Sequence, residues 1–244
     1  MERLRRTAPH PLLPASIRPL AAALAGFCVV LTVVFGTWFA GQTGPGWLDS
    51  SVDGRVQGLL GSHPKMFYVV SLGAPVSVTI ISAALLVACL AMRRGRGAVL
   101  VAVAVPAAAA LTELLKPVVD RAPYGISIFP SGHSTGIFAV VVAFAVLLID
   151  PPRPRIRVVV RVLLALIALL TAVTVAVALV AVRWHYATDT VAGAAVGTAV
   201  VLATALALDL VCALGAAGRL SSRRAAEWMG RRAPRIGRRR TSPD

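Results

Sequence analysis

Charged side chains are scarce in this sequence. Asp, Glu, Lys and Arg make up 14% of the 244 residues, whereas hydrophobic residues make up 57% and the mean hydropathy is +0.80. A water-soluble domain of this length needs far more polar surface. The composition therefore excludes an ordinary soluble protein. We instead interpret the chain as a series of membrane spans, each of about 20 apolar residues.

Cysteine and lysine are also rare. Cys28, Cys89 and Cys212 all fall inside apolar runs, where neither a disulfide framework nor a cysteine metal site is expected. Only Lys65 and Lys116 among the 25 basic residues are lysines. Lys116 ends an apolar run, so it either supplies a compact ammonium group to a site or is an interfacial lysine that reaches water.

Six apolar runs, separated by breaks rich in Gly, Pro or Arg, are long enough to be spans. The first follows a basic start, as in a signal peptide, but no A-x-A-like cleavage site follows it, so we interpret it as a retained helix. The sequence thus predicts an all-α, polytopic membrane protein with six transmembrane helices. They form a domain at 20–214, between a basic segment at 1–19 and an Arg-rich, disordered tail at 215–244. The predicted spans are residues 20–40, 67–91, 98–115, 133–149, 158–182 and 188–211.

Positive charge is distributed unequally between the loops. The two ends of the chain and two loops on the same predicted side carry 20 of the 25 basic residues. Because basic loops stay in the cytoplasm, we predict that both termini are cytoplasmic and that the net charge of +15 reflects orientation, with no nucleic-acid partner. The tail is either simply solvated or attracted to anionic inner-leaflet lipids. Three segments then face outward: 41–66, 116–132 and 183–187.

The segment 41–66 contains Trp47, Asp49, Asp53 and His63 and forms either a short interfacial helix or a flap that guides a substrate. The next outward segment ends in Pro-Ser-Gly-His, residues 130–133. Ser131 is a good N-cap for the fourth span, whose free N–H groups and positive dipole end would attract an anion. Gly132 permits close approach and His133 stands beside the anion. The alternative is an ordinary helix cap with an incidental histidine.

The third outward segment supplies His185, followed four residues later by Asp189. At a helix start these two residues share a face, so the carboxylate can accept a proton from one ring nitrogen. That contact fixes the tautomer and makes the other nitrogen more nucleophilic. The alternative is a surface histidine capped by a neighbouring acid.

Together with His133, the pair also forms a possible metal site of two histidines and one carboxylate. Three cations on the same face would repel a metal ion, and they suit a phosphate instead. We therefore rank the metal site lower and expect no metal or cofactor. The cations are Lys116, Arg121 and Arg183.

The order Lys…Arg, Pro-Ser-Gly-His, Arg…His-x-x-x-Asp resembles the type 2 phosphatidic acid phosphatases, which share an active site with vanadium-dependent haloperoxidases. The resemblance covers residues 112–197. It implies that His185 is a nucleophile oriented by Asp189, and that His133 is an acid and base. It also implies phosphate-binding roles for Lys116, Ser131 and Gly132.

Two arginines depart from the family pattern. The family has Arg-Pro seven residues after the lysine, where this chain has Pro123 and Tyr124, and Arg121 lies two residues early. The family's third motif begins Ser-Arg, where this chain has Ala178 and Leu179. We take Arg121 and Arg183 as substitutes by proximity.

The resemblance implies a metal-independent phosphatase of the cell membrane. It would hydrolyse a lipid phosphate or diphosphate, at the outer face, through a phosphohistidine. The substrates that the resemblance allows include undecaprenyl diphosphate from cell-wall synthesis, phosphatidic acid and phosphatidylglycerol phosphate. Two alternatives stay open. One is a phospholipid transporter or flippase-like protein that binds a head group without cleaving it. The other is a lipid phosphotransferase.

Overall fold

A computed structural model describes residues 11–123, 125–149 and 157–232 of the chain, with side chains described as far as residue 215. The described residues form eight helices and no strands, which confirms the all-α prediction. The helices are α1 (Arg18–Phe39), α2 (Trp47–Leu60), α3 (Lys65–Ser71), α4 (Pro75–Ala91), α5 (Gly95–Val119), α6 (Gly132–Ile149), α7 (Val158–Ala181) and α8 (Ala187–Arg232).

Five helices of the described chain are long and apolar enough to cross a membrane by themselves: α1, α5, α6, α7 and α8. The second predicted span, 67–91, is divided into α3 and α4, which meet at an angle of 48° and count as one span only if the bend is allowed. Pro75 begins α4 at a position where a helix tolerates proline. The polytopic prediction is confirmed, whereas the cytoplasmic side of the termini stays a prediction.

Helix α6 lies at the centre of the bundle and packs against α4, α5 and α7. Helix α8 approaches it even more closely, because Gly193 and Gly197 face its backbone. A Cβ at Gly193 would collide with the carbonyl oxygen of Ser131, and one at Gly197 would lie 2.5 Å from the carbonyl oxygen of Thr135. Small residues that bring backbones together are a common means of packing helices in membranes. The contact fixes α8 against the first turns of α6.

Residues up to Leu208 belong to one compact unit, and those from Asp209 onward to a second unit that contains the rest of α8. The predicted boundaries at 19/20 and 214/215 stay predictions. Helix α8 is described as far as Arg232. Residues 1–10, 150–156 and 233–244, which supply part of the orientation argument, lie outside the described residues, as does Tyr124.

Candidate active site

A cavity of about 920 Å³ opens where α4, α5 and α6 meet the loop between α7 and α8. Most of its wall is apolar and comes from the small side chains of α4 and α5, such as Val78, Val105 and Ala109. Its polar end contains five of the eight residues that the sequence predicted for the site. These are Lys116, Gly132, His133, Arg183 and His185.

The two histidines reach this cavity from different elements. His133 is the second residue of α6, and its ring meets the edge of Trp184 at 5.8 Å between centroids. His185 follows Trp184 in the loop that ends at Ala187, where α8 begins. Arg183, in the same loop, is exposed and has a left-handed backbone with φ of 62°. The loop therefore presents an arginine and an imidazole to one space.

The first turn of α6 also points to an anion. The hydroxyl of Ser131 accepts the backbone N–H of Ser134 at 3.4 Å, as a capping residue does. Ser131 itself is fully buried and does not line the cavity. Gly132 does line it, and a Cβ added there would meet only the Glu113 carboxylate, at 3.9 Å. An anion can therefore approach the start of α6 beside His133.

His185 lies in the loop before α8, so His185 and Asp189 do not share a helical face as the sequence predicted. The Nδ1 atom of His185 lies 3.9 Å from Oδ2 of Asp189, within the range of an ion pair but beyond a hydrogen bond. That oxygen already accepts the backbone N–H of Tyr186 at 3.0 Å. The other oxygen of Asp189 accepts from Arg121. Both oxygens of Asp189 are thus held by its neighbours, and its contact with His185 is electrostatic.

Arg121 lies beneath the site and does not line the cavity. Its guanidinium is fully buried and forms ion pairs of 2.6 Å with both Asp49 and Asp189. It also stacks on the rings of Phe39 and Tyr186, at 4.0 and 4.5 Å from their centroids. Because two carboxylates already balance the charge of this guanidinium, it has little charge available to bind a phosphate. The geometry therefore places Arg121 as a support for Asp189.

Two functional candidates that the sequence did not single out are Asp49 and Asp53 on α2. The segment 41–66 contains a helix, and both carboxylates are buried against the start of α8. Asp49 accepts the backbone N–H and the hydroxyl of Thr188, at 3.0 and 2.8 Å. Asp53 accepts the backbone N–H of Ala187 at 3.1 Å. Their spacing of four residues, in a polar segment predicted to face outward, was the available signal.

The two carboxylates of α2 titrate in opposite directions. Burial opposes the ionisation of Asp49, but hydrogen bonds from Arg121 and Thr188 outweigh it and lower its pKa. Burial raises the pKa of Asp53 to about 6, and the nearby charges of Asp49 and Asp189 add to the effect. Asp53 is thus close to its midpoint in mildly acidic solution, while Asp49 stays ionised.

Glu113 is a third residue that the sequence analysis did not single out. It lines the cavity one helical turn before Lys116, and its carboxylate accepts the ammonium group at 2.7 Å. A bound phosphate would compete with this carboxylate for the same cation.

A metal has no evident ligand set here. No group of three or more His, Cys, Asp or Glu side chains in the described parts of the chain is close enough to hold a metal ion. The two-histidine, one-carboxylate arrangement considered from the sequence is therefore not assembled.

The fold and the site together define a class: a polytopic helical membrane protein whose two histidines and two cations converge at the end of an apolar cavity. A family model described as the PAP2 superfamily matches residues 72–210, more than half of the chain, and the chain belongs to that superfamily. This confirms the resemblance found from the motifs.

One solved structure with a similar fold is described as the first transmembrane PAP2 type phosphatidylglycerolphosphate phosphatase from Bacillus subtilis. The two chains are 20% identical, with a TM-score of 0.59. The match covers 75% of this chain and 93% of the other. At this identity the comparison shows a shared fold. No curated protein sequence matches this chain significantly.

Proposed function

We propose that the protein is a lipid phosphatase that cleaves a phosphate ester or diphosphate through a phosphohistidine on His185. The observation that carries the proposal is the cavity, because its polar end joins His133 and His185 to Lys116, Arg183 and the start of α6. Its remaining wall is apolar and suits an acyl or isoprenoid chain. Membership in the PAP2 superfamily and the fold shared with a PAP2 type phosphatase support the proposal of a lipid phosphatase.

In the first step, Nε2 of His185 attacks phosphorus, the bond to the leaving lipid oxygen breaks, and His133 gives that oxygen a proton. The negative charge of Asp189, 3.9 Å from Nδ1, stabilises the positive ring that results. In the second step, water attacks the phosphohistidine from the side that the leaving group has vacated. His133 takes the water's proton, and phosphate departs from His185.

Charge that accumulates on the phosphoryl oxygens is met by Lys116, Arg183 and the first turn of α6. Ser131 contributes by capping that turn. Arg121 contributes from beneath, by holding Asp189. In this assignment the two arginines that depart from the family pattern have different roles. Arg183 is a cation at the cavity, and Arg121 is a buried support for Asp189.

The substrate class follows from the position of the site, because its polar groups lie where the apolar cavity meets the loops predicted to face outward. With both termini in the cytoplasm, the site faces outside the cell membrane, where a polyprenyl diphosphate of the cell-wall cycle is available. Phosphatidic acid and phosphatidylglycerol phosphate fit the same cavity chemistry. A phosphotransferase would use the same phosphohistidine with a lipid hydroxyl in place of water.

The test follows phosphate release by the detergent-purified protein from undecaprenyl diphosphate, phosphatidic acid and phosphatidylglycerol phosphate, with chelator present. We expect release by the wild type, and losses of at least about a hundredfold in both His185→Ala and His133→Ala. His63→Ala is the matched control, because His63 is exposed and does not line the cavity. A near-normal rate in His185→Ala would overturn the mechanism.

Two further outcomes decide between the alternatives. A large loss of activity on adding chelator would favour a metal site. No release from any of the three substrates, by a folded protein that still binds phospholipid, would favour a transporter or flippase-like protein.

A further inference from the structure

A second, smaller cavity of about 390 Å³ lies on the other side of His185. Ile128, Arg183, Trp184 and His185 line both cavities, so the two cavities adjoin at these residues. The second cavity is more polar than the first, because α2 forms one of its walls with Ser50, Asp53, Gly54 and Gln57. It plays no part in the mechanism described above.

Two buried atoms of the residues around this second cavity lack a hydrogen-bond partner among the described residues. They are Nδ1 of His185 and Oδ2 of Asp53. Asp53 is only 5% exposed, and its other oxygen is held by the backbone N–H of Ala187. Leaving a buried polar atom without a partner costs about 1–3 kcal/mol, so a native structure keeps such atoms for a reason.

The other carboxylates near the histidine are already engaged. Arg121 is shared between Asp49 and Asp189, whereas Asp53 forms no direct ion pair with any described residue. Burial raises the pKa of Asp53 to about 6, so the group is largely ionised at neutral pH.

We propose that Asp53 is a second positioning carboxylate for His185, whose negative charge favours the imidazole tautomer that carries its proton on Nδ1. This inference rests on the proposed function of His185 as a nucleophile. During phosphoryl transfer Nε2 gains the bond to phosphorus while Nδ1 keeps its proton, so the ring becomes positive. Asp53 and Asp189 together then balance that charge from the side opposite the phosphate.

The first arm of the test is kinetic and compares Asp53→Asn with the wild type. We expect kcat to fall about tenfold to a hundredfold with KM nearly unchanged, because the amide keeps the contact with Ala187 but loses the charge. Asp120→Asn is the matched control: it removes the same charge from an exposed residue of an outward loop and should leave kcat unchanged. An unchanged kcat in Asp53→Asn would overturn the proposal.

The second arm does not depend on catalysis. Ring ¹⁵N chemical shifts of the four histidines report which nitrogen carries the proton, and His185→Ala identifies the signals of His185. We expect the Nδ1–H tautomer of His185 in the wild type, and a mixture of tautomers in Asp53→Asn. The same tautomer in both proteins would overturn the proposal even if kcat had fallen.

The two arms separate this inference from the proposed function. If the wild type releases no phosphate, the function fails and the tautomer still tests the contact. If the wild type is active and His185→Ala is not, but Asp53→Asn behaves as wild type in both arms, the function stands and the inference is wrong.

Discussion

Replacing Asp53 by asparagine should stabilise the protein, although the same change is expected to slow it. The folded protein raises the pKa of Asp53 from 3.8 to about 6, chiefly through burial. Each unit of pKa corresponds to about 1.4 kcal/mol, so the ionised carboxylate destabilises the fold by about 3 kcal/mol at neutral pH. Asparagine removes this charge and still offers an oxygen to the N–H of Ala187.

The effect of pH has a definite sign. Because the folded state holds the proton more tightly, stability falls as the pH rises from about 4 to about 6 and then stays level. The advantage of Asp53→Asn should therefore be full at pH 7 and should shrink as the pH falls below about 6. It should vanish only below the unfolded pKa of 3.8, where the wild-type carboxyl is protonated in both states.

The protein carries its own reporters for this measurement. Cys28 and Cys89 are buried, so a thiol-reactive dye detects unfolding when it reaches them during heating in detergent. The less buried Cys212 is replaced by serine in every variant. We expect a midpoint several degrees higher for Asp53→Asn than for the wild type or Asp120→Asn at pH 7. An equal or lower midpoint, or a difference at pH 4.5 as large as the one at pH 7, would refute the assignment of a destabilising, ionised Asp53.

Three further variants test other contacts. Glu113→Gln frees Lys116 of its competing carboxylate, so KM should fall a few-fold at unchanged kcat in steady-state assays; a rise in KM would show that Glu113 helps to bind the substrate. Arg121→Met leaves two buried carboxylates unpaired and should cost about 3–5 kcal/mol, seen as a lower unfolding midpoint, whereas Arg55→Met on the exposed part of α2 should not. Gly193→Leu should drive α8 away from α6 and abolish both folding yield and activity, so a well-folded variant would contradict the close backbone contact.

The sequence predicted the spanning helices well, and five of the eight site residues that it proposed line one cavity. Both results depend on local patterns. Apolar runs of spanning length determine where helices form, and the two histidine motifs lie at the ends of such runs. The division of the predicted span 67–91 was missed, since hydropathy averages over Gly73 and Pro75. A side chain at Gly73 would collide with Val175, so this break is set by packing against α7.

The burial of Arg121 could not be predicted in the same way. An arginine in an outward loop next to a phosphate motif is an obvious ligand, and nothing local shows that it turns inward. Its partners, Asp49 and Asp189, lie 72 and 68 residues away along the chain. A pairing of this kind depends on how α2 and α8 meet, which composition and spacing do not specify.

The contacts between α2 and the start of α8 have a consequence for assembly. Asp49 and Thr188 are separated by 139 residues, and every span but the first and the last must be made between them. A growing chain exposes the carboxylates of α2 to water long before the N–H groups of α8 exist to meet them. The ionic centre can close only when the last helix is in place. A chain truncated before α8 therefore has most of its spans but lacks Asp189 and the N–H groups that hold the carboxylates of α2, so the network beneath the candidate site cannot be completed.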